Sequence, residues 1–325
     1  MPSARPTRRG ALIATTIAGW AFAGPARAQV EKPVRLLVGF AAGGSADIAA
    51  RSIAEKMTGD LKQAVVVENR PGAGGRIVAE ALRNAPADGS TLMLAPIVVP
   101  VLAPLVFSKL PYDPTTDFAP IAQVANFQFA LSVAASHPAR SMRELVEWYR
   151  ANPARANFGS PAPGSLPHFF GLLIAKSAGV ELVHVPYNGG APLMNGLMGD
   201  QVAAAIDTTV EQIELHKAGK VRLLAVSAAT RSPLAPEVAT FGEQGIAVEG
   251  TGWFAVYAPA RTPEVIVRAL NAAVVKAVAQ PDVRERFARL GLEPTGGTPE
   301  QLAQRMRDDR ALWAPIVRAS GFKAD

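Results

Sequence analysis

The chain has 325 residues, of which 49% are hydrophobic and 18% charged, with no cysteine and a formal net charge of +6. That length suits about two domains whose cores are large enough to need no cross-links, and the missing cysteine excludes disulfides and thiol chemistry. Residues 1–28 hold Arg5, Arg8, Arg9 and Arg27 and no acid, so without them the charge of +6 would fall by four. The remainder shows no basic stripe interleaved with aromatics, which excludes nucleic-acid binding as a reading.

Residues 1–28 read as an export signal. Arginines precede an apolar run over 11–23, and Ala26-Arg27-Ala28 offers a small-residue cleavage site. The run is too short to span a membrane. General secretion fits, and Arg8-Arg9 also suits a twin-arginine exporter. Either route predicts an exported protein.

The stretch 34–51 organises the rest of the chain. Residues 34–40 form a near-continuous apolar run, predicting a strand buried at the centre of a parallel sheet. Gly43, Gly44 and Ser45 then lead into a helix with Ala49, Ile53 and Met57 on one face. Such a junction aims free backbone N–H groups and the positive end of a helix dipole at one spot, and glycines allow an anion to approach. Asp47 sits awkwardly there: a first-turn acid complements the dipole, but it repels an anionic ligand unless it points away or binds an amine or a water.

A second strand over 64–68, a loop rich in glycine (72, 74 and 75), a helix over 77–82 and a strand over 91–95 continue a βαβαβ pattern with right-handed crossovers. The loop lacks the third glycine of the dinucleotide fingerprint, and there is no phosphate-binding Gly-Lys loop, so no nucleotide cofactor is expected. Residues 96–120, with Pro100, Pro104, Pro111 and Pro114, read as an irregular excursion. An apolar strand pattern returns over 121–133 and opens a second α/β unit.

In that unit Ser141 to Glu144 is a capping box. A short strand over 157–160 ends in a loop through Ser160 and Ser165 to His168, followed by an apolar helix to 178. The strand 182–185 runs into Tyr187, Gly189 and Gly190 and another helix. The strand 202–206 meets Asp207, a helix runs to about 219, and a strand covers 221–226. After Gly250 come a strand over 253–257 and three helices, two of them announced by Thr-Pro-Glu at 262–264 and 298–300. His137, His168, His184 and His216 show no metal spacing, so no metal is expected.

Five colinear segments carry a family resemblance: 32–47, 66–75, 158–168, 184–192 and 224–227. Together they resemble the solute receptors of tripartite tricarboxylate transporters, the Bug or TctC family. The resemblance implies an α/β protein of two domains on the type II periplasmic binding protein plan, a Venus flytrap in which each domain is a sheet flanked by helices. One domain would comprise 29–125 plus 252–325 and the other 126–251. It implies a monomeric receptor, not an enzyme, that binds a small carboxylate between its domains and delivers it to a membrane permease, or signals through a sensor partner.

By the same resemblance the carboxylate loops map to Phe40, Ala41, Gly43, Gly44, Ser45 and Asp47 in the first domain, and to Tyr187, Gly189 and Gly190 in the second. Gly75, Ser160, Ser165, His168 and Asp207 are further candidates. Arg76 stands where relatives often have Asn; it is either an added cation for an acidic ligand or a solvated helix-start residue. Residues 208–211 lack a proline common in relatives, so pocket shape there is open. A secreted serine hydrolase using Ser165, His168 and Asp207 is a remote alternative, since no Gly-x-Ser-x-Gly elbow exists.

Overall fold

The computed structural model describes Met1 and residues 32–324; the export-signal reading falls on residues outside that range. The first unit is built from β1 (Val34–Val38), α1 (Ser45–Leu61), β2 (Val65–Asn69), α2 (Arg76–Arg83), β3 (Thr91–Pro96), α3 (Ala103–Val106) and β4 (Phe118–Phe127). The second contains β5 (Phe129–Ala134), α4 (Met142–Ala151), β6 (Asn157–Ser160), α5 (Leu166–Ala178), β7 (Val183–Pro186), α6 (Gly190–Met198), β8 (Ala204–Thr208), α7 (Thr209–Lys217) and β9 (Val221–Val226). The chain then returns through β10 (Gly252–Pro259), α8 (Glu264–Val278), α9 (Pro281–Arg289), β11 (Leu292–Pro294) and α10 (Pro299–Ser320).

Two sheets result, ordered β11-β4-β10-β3-β1-β2 and β7-β6-β8-β5-β9. The centre of the first belongs to β10 and β3, every residue of which is buried. β1 is paired on both sides but lies next to the edge strand β2. That corrects the central position expected for it: Arg35 points outward from β1 and forms an ion pair with Glu68 across the exposed face.

Residues 98–106 also differ from expectation. They form a π-helical turn and α3 rather than an irregular path. Pro104 falls in the first turn of α3, where no N–H is needed, and burial of Val99, Val101, Leu102 and Val106 supplies the driving force. Thr298 does cap α10, with a reciprocal bond from Gln301. Thr262 does not cap α8, because its hydroxyl donates to the carbonyl of Pro259.

The strand registers decide where a site can form. β1, β2 and β3 are parallel. β10 runs against β3 and β4 runs against β10, so β4 ends and β10 begins at the edge where β1 to β3 end. In the second sheet β6, β7 and β8 are parallel, and the pairing of Phe129 with Thr208 puts the start of β5 beside their carboxyl ends. The pairing of Ala130 with Val226 puts the end of β9 there too. Both crossings therefore join the carboxyl edge of one parallel set to the carboxyl edge of the other, the position at which open α/β sheets bind ligands.

The junction is stiffened by aromatic rings. Phe254 and Phe127 stack with centroids 4.6 Å apart, Phe127 meets Phe129 at 5.4 Å, Phe129 meets Phe170 of α5 at 5.4 Å, and Phe170 meets Trp313 of α10 at 5.7 Å. The Ser227 hydroxyl ties the two crossings together, accepting from the Phe129 N–H at 3.1 Å and donating to the Gly250 carbonyl at 2.7 Å. Gly252 leaves room for this packing, since a Cβ there would lie 2.2 Å from the Phe127 ring. Gly252→Ala is expected to destabilise the protein by about 1–3 kcal/mol through overpacking, although alanine is the better strand former. Urea denaturation of the two proteins measures the difference.

Candidate functional site

Five helices start on the joined edges: α1, α2, α5, α6 and α7. Their N-cap residues are Gly44, Gly75, Ser165, Gly189 and Thr208, and none makes a side-chain capping bond. At the opposite edges α4 and α10 are capped by Ser141 and Thr298, whereas α8 is uncapped. First-turn N–H groups have no intrahelical acceptor, so the uncapped starts leave backbone donors and positive dipole ends at the joined edges, except that at α7 the Thr209 N–H already donates to the Gln128 carbonyl.

In the first unit the loop of residues 39–44 is locked from behind. The Asp47 side chain is buried and accepts from the Gly43 N–H at 2.9 Å, from the Asn69 amide at 2.9 Å and from Arg51 Nε at 3.0 Å. Asn69 also donates to the Phe40 carbonyl at 3.2 Å and accepts from Arg51 at 2.9 Å. Burial opposes the charge on Asp47, but Arg51, the Gly43 N–H and Asn69 outweigh it and hold the carboxyl below its ordinary range. Asp47 thus turns inward and shapes the loop, leaving Ala41 to Gly43 exposed and Gly44 and Ser45 partly so.

The second glycine loop abuts the first: a Cβ on Gly39 would lie 2.6 Å from the Gly75 Cα, and one on Gly75 would lie 3.3 Å from the Phe40 ring. Arg76 lays its guanidinium over the Phe107 ring, 3.7 Å from the centroid, so it is neither fully solvated nor ion-paired to a neighbouring acid among the described residues. Phe40, Gly75, Arg76 and Phe107 form one patch beside the start of α1.

In the second unit Ser160, Ser165 and His168 lie around one loop. The Ser165 hydroxyl donates to the Ala162 carbonyl at 2.7 Å, and His168 Nδ1 accepts from the Gly164 N–H at 3.1 Å. Both groups are thus engaged in shaping the loop rather than arranged as nucleophile and base. Ser160 lies 2.8 Å from His184 Nε2 and is wholly buried.

The His168 and His184 rings stack at 4.0 Å, and Phe322 from the chain end closes over His168 edge-on. Desolvation, with His184 as a second cause for His168, lowers both imidazoles to about 4. They are neutral at pH 7. The Tyr187 ring packs against Gly159 and Gly196 beneath α6, and its hydroxyl is 3.4 Å from the Gln201 oxygen. Its N–H donates to the Ser160 carbonyl, and the Gly189 N–H to that of Pro161, fixing the turn before α6.

Asp207 lies one residue before the end of β8 and is 3% exposed. Its Oδ1 accepts from the Thr208 N–H at 2.7 Å, while its Oδ2 has no hydrogen-bond partner among the described residues. Desolvation, the dominant cause, lifts this carboxyl to about 8, with Glu211 pushing the same way. Asn69, Arg51 and Gln212 were not among the residues the sequence singled out as candidates. Gln212 is fully buried and donates to the carbonyls of Ala130 and Asp207. A polar residue on the inner face of α7 is the signal that could have flagged it. Among the described residues there is no cluster of acids and histidines able to hold a metal, and no helix is long and apolar enough to cross a membrane.

These buried groups make stability depend on pH. His168 and His184 bind protons near 6.5 when unfolded but only near 4 when folded. Protonation therefore favours the unfolded chain, and stability should fall as pH drops from about 6.5 towards 4. His168→Phe, which keeps the ring stack, should shrink that fall when urea midpoints at pH 7 and pH 4.5 are compared. For Asp47 the folded value is depressed, so its contribution is complete above the unfolded value and is lost as pH falls through the folded one. Asp47→Ala should cost about 1–3 kcal/mol at pH 7, and the cost should shrink in strong acid.

The family model of the tripartite tricarboxylate transporter family receptor matches residues 49–322. Protein BugT of Bordetella pertussis is 33% identical over 321 residues, covering 98% of each chain. An R. palustris protein solved with adipate superposes with a TM-score of 0.84 at 33% identity, covering 90% of this chain and 98% of that one. MatC from Rhodopseudomonas palustris, solved with bound malate, gives a TM-score of 0.80 at 31% identity over 88% and 99% of the two chains.

Proposed function

Since the chain belongs to the tripartite tricarboxylate transporter receptor family, a family of solute-binding receptors and not of enzymes, we propose that it is a periplasmic receptor for a small organic dicarboxylate held between the joined sheet edges. The observation that carries this reading is the gathering of uncapped helix starts from both units on those edges. Backbone N–H groups can accept a carboxylate without a dedicated side chain, and relatives solved with adipate and with malate are dicarboxylate-bound. Ala41 to Ser45 and Tyr187 to Gly190 take the two opposing positions in the proposed site. Ser165 and the start of α5 flank them.

The strand membership of the two sheets supports one lobe built from β1 to β4 with β10 and β11 and another built from β5 to β9, with the first crossing falling after Phe127 rather than at residue 125. Delivery to a permease of the same transporter system is the proposed outcome of binding. A receptor that signals through a sensor protein would use the same cleft.

Isothermal titration with a panel of four- to six-carbon diacids, including malate and adipate, is expected to yield a Kd in the micromolar range or tighter. No heat and no thermal shift with any member would overturn the proposal. Arg76 flanks the start of α2 with its guanidinium held by Phe107, a geometry suited to pairing with a second carboxylate. Arg76→Gln should therefore weaken diacid binding about tenfold, equivalent to ~1.4 kcal/mol, while leaving monocarboxylate binding nearly unchanged.

A further inference from the structure

The first turn of α6 stands directly over Asp207. A Cβ added to Gly190 would lie 2.7 Å from Asp207 Oδ2, and the same point is 3.4 Å from Glu211 Cδ. Oδ2 is buried and has no hydrogen-bond partner among the described residues. Two acids therefore sit under a helix start that the proposed function assigns to an anionic ligand. A charged Asp207 and a bound carboxylate would compete for the same few N–H groups and the same dipole, and two like charges in one poorly solvated site cannot both persist cheaply.

No cation among the described residues relieves the conflict. The elements packed on β8 are β5, β6, α5, α6 and α7. β5, β6 and α6 contain no titratable group. On α5, His168 is engaged with Gly164 and His184, and Lys176 lies in the last turn, away from the helix start. On α7, Glu214 pairs with Lys217 and His216 pairs with Glu237, which leaves Glu211 facing Asp207.

We propose that Asp207 is the proton acceptor of this receptor: binding of a carboxylate at the start of α6 is coupled to uptake of one proton from solvent by Asp207 Oδ2. Protonation removes the competing charge and turns Oδ2 into a hydrogen-bond donor. Asp207 acts here as a positioning residue, working through the α6 start. The inference rests on the function proposed above. The elevated carboxyl, at about 8 in the unliganded protein, agrees with the geometry and sets the range in which the coupling shows.

The test is titration of malate and adipate into the full chain at pH 6 to 9, in pairs of buffers with different ionisation enthalpies. The wild type should lose about tenfold in affinity per pH unit above 8 and take up close to one proton there. Asp207→Asn should bind with a flat profile and no uptake. Glu211→Gln should move the onset of the loss to lower pH, because removing its negative charge leaves the Asp207 proton easier to lose, and it serves where Asp207→Asn does not fold.

Tight binding with no proton uptake in the wild type would overturn the coupling and leave the receptor function standing. So would an unchanged pH slope in Asp207→Asn, or loss of all binding in that variant when it is folded, which would make Asp207 a direct ligand. No heat from any acid would overturn both readings. In the unliganded protein, an infrared band of a protonated carboxylic acid that persists to pH 7 and disappears in Asp207→Asn is the expected companion result.

Discussion

Everything about the site depends on one topological constraint: both chain crossings leave the first sheet at the carboxyl edge of its parallel strands and enter the second at the equivalent edge. Had β4 been parallel to β10, the second unit would hang from the far edge and the two sets of glycine loops would point apart. The crossings are bonded to one another through Ser227. Their rings form a continuous line from Phe254 to Trp313, and Trp313 sits on α10, which also receives Trp253 Nε1 through Asp309 at 2.7 Å. The result is a narrow, stiff junction flanked by two lobes with separate sheets.

Helix starts alone do not account for useful affinity. A micromolar ligand needs roughly 8 kcal/mol, whereas one helix dipole contributes at most about 2 kcal/mol in a partly buried setting. Three or four starts together approach the requirement only if each is well oriented, so the preorganisation of the loops matters as much as the number of donors. That is what the Asp47, Asn69 and Arg51 group does for residues 39–44, and what the bonds to the Ser160 and Pro161 carbonyls do for residues 187–189. The partly exposed side chains of Phe40 and Phe107 supply apolar surface next to the donors, suited to the methylenes of the proposed diacid.

Much of this was legible in the sequence because it rests on local rules. Strand, glycine turn and helix start are contiguous at residues 34–51 and 182–198, and the two-unit organisation comes from repeating that theme. What escaped was set by contacts distant along the chain. The place of β1 beside an edge strand depends on β10 returning from the second unit to take the centre. Helical structure at 98–106 is imposed by burial despite Pro100, with Pro104 placed in the first turn of α3 where proline is tolerated. The stacking of His168 on His184, and Phe322 closing edge-on over His168, joins residues whose order along the chain says nothing of their proximity. Ser165 occupies the N-cap position its sequence suggests, yet donates its proton to Ala162, a choice that depends on the three-dimensional path of the loop.

The two lobes handle a buried acid in opposite ways. In the first, Asp47 is supplied with a cation, an amide and a backbone N–H, so its charge is fixed and faces away from the exposed glycines. In the second, Asp207 has one N–H and an unpartnered oxygen, with another acid as its neighbour. The field from the first lobe is therefore constant over the ordinary pH range, because its partners hold the Asp47 carboxyl below the usual carboxylate range. The second lobe's field depends on a proton. A ligand whose carboxylates touch both lobes would meet one rigid and one adjustable receptor surface, and the adjustable one lies at α6, where the helix begins on two glycines and the backbone can approach closely.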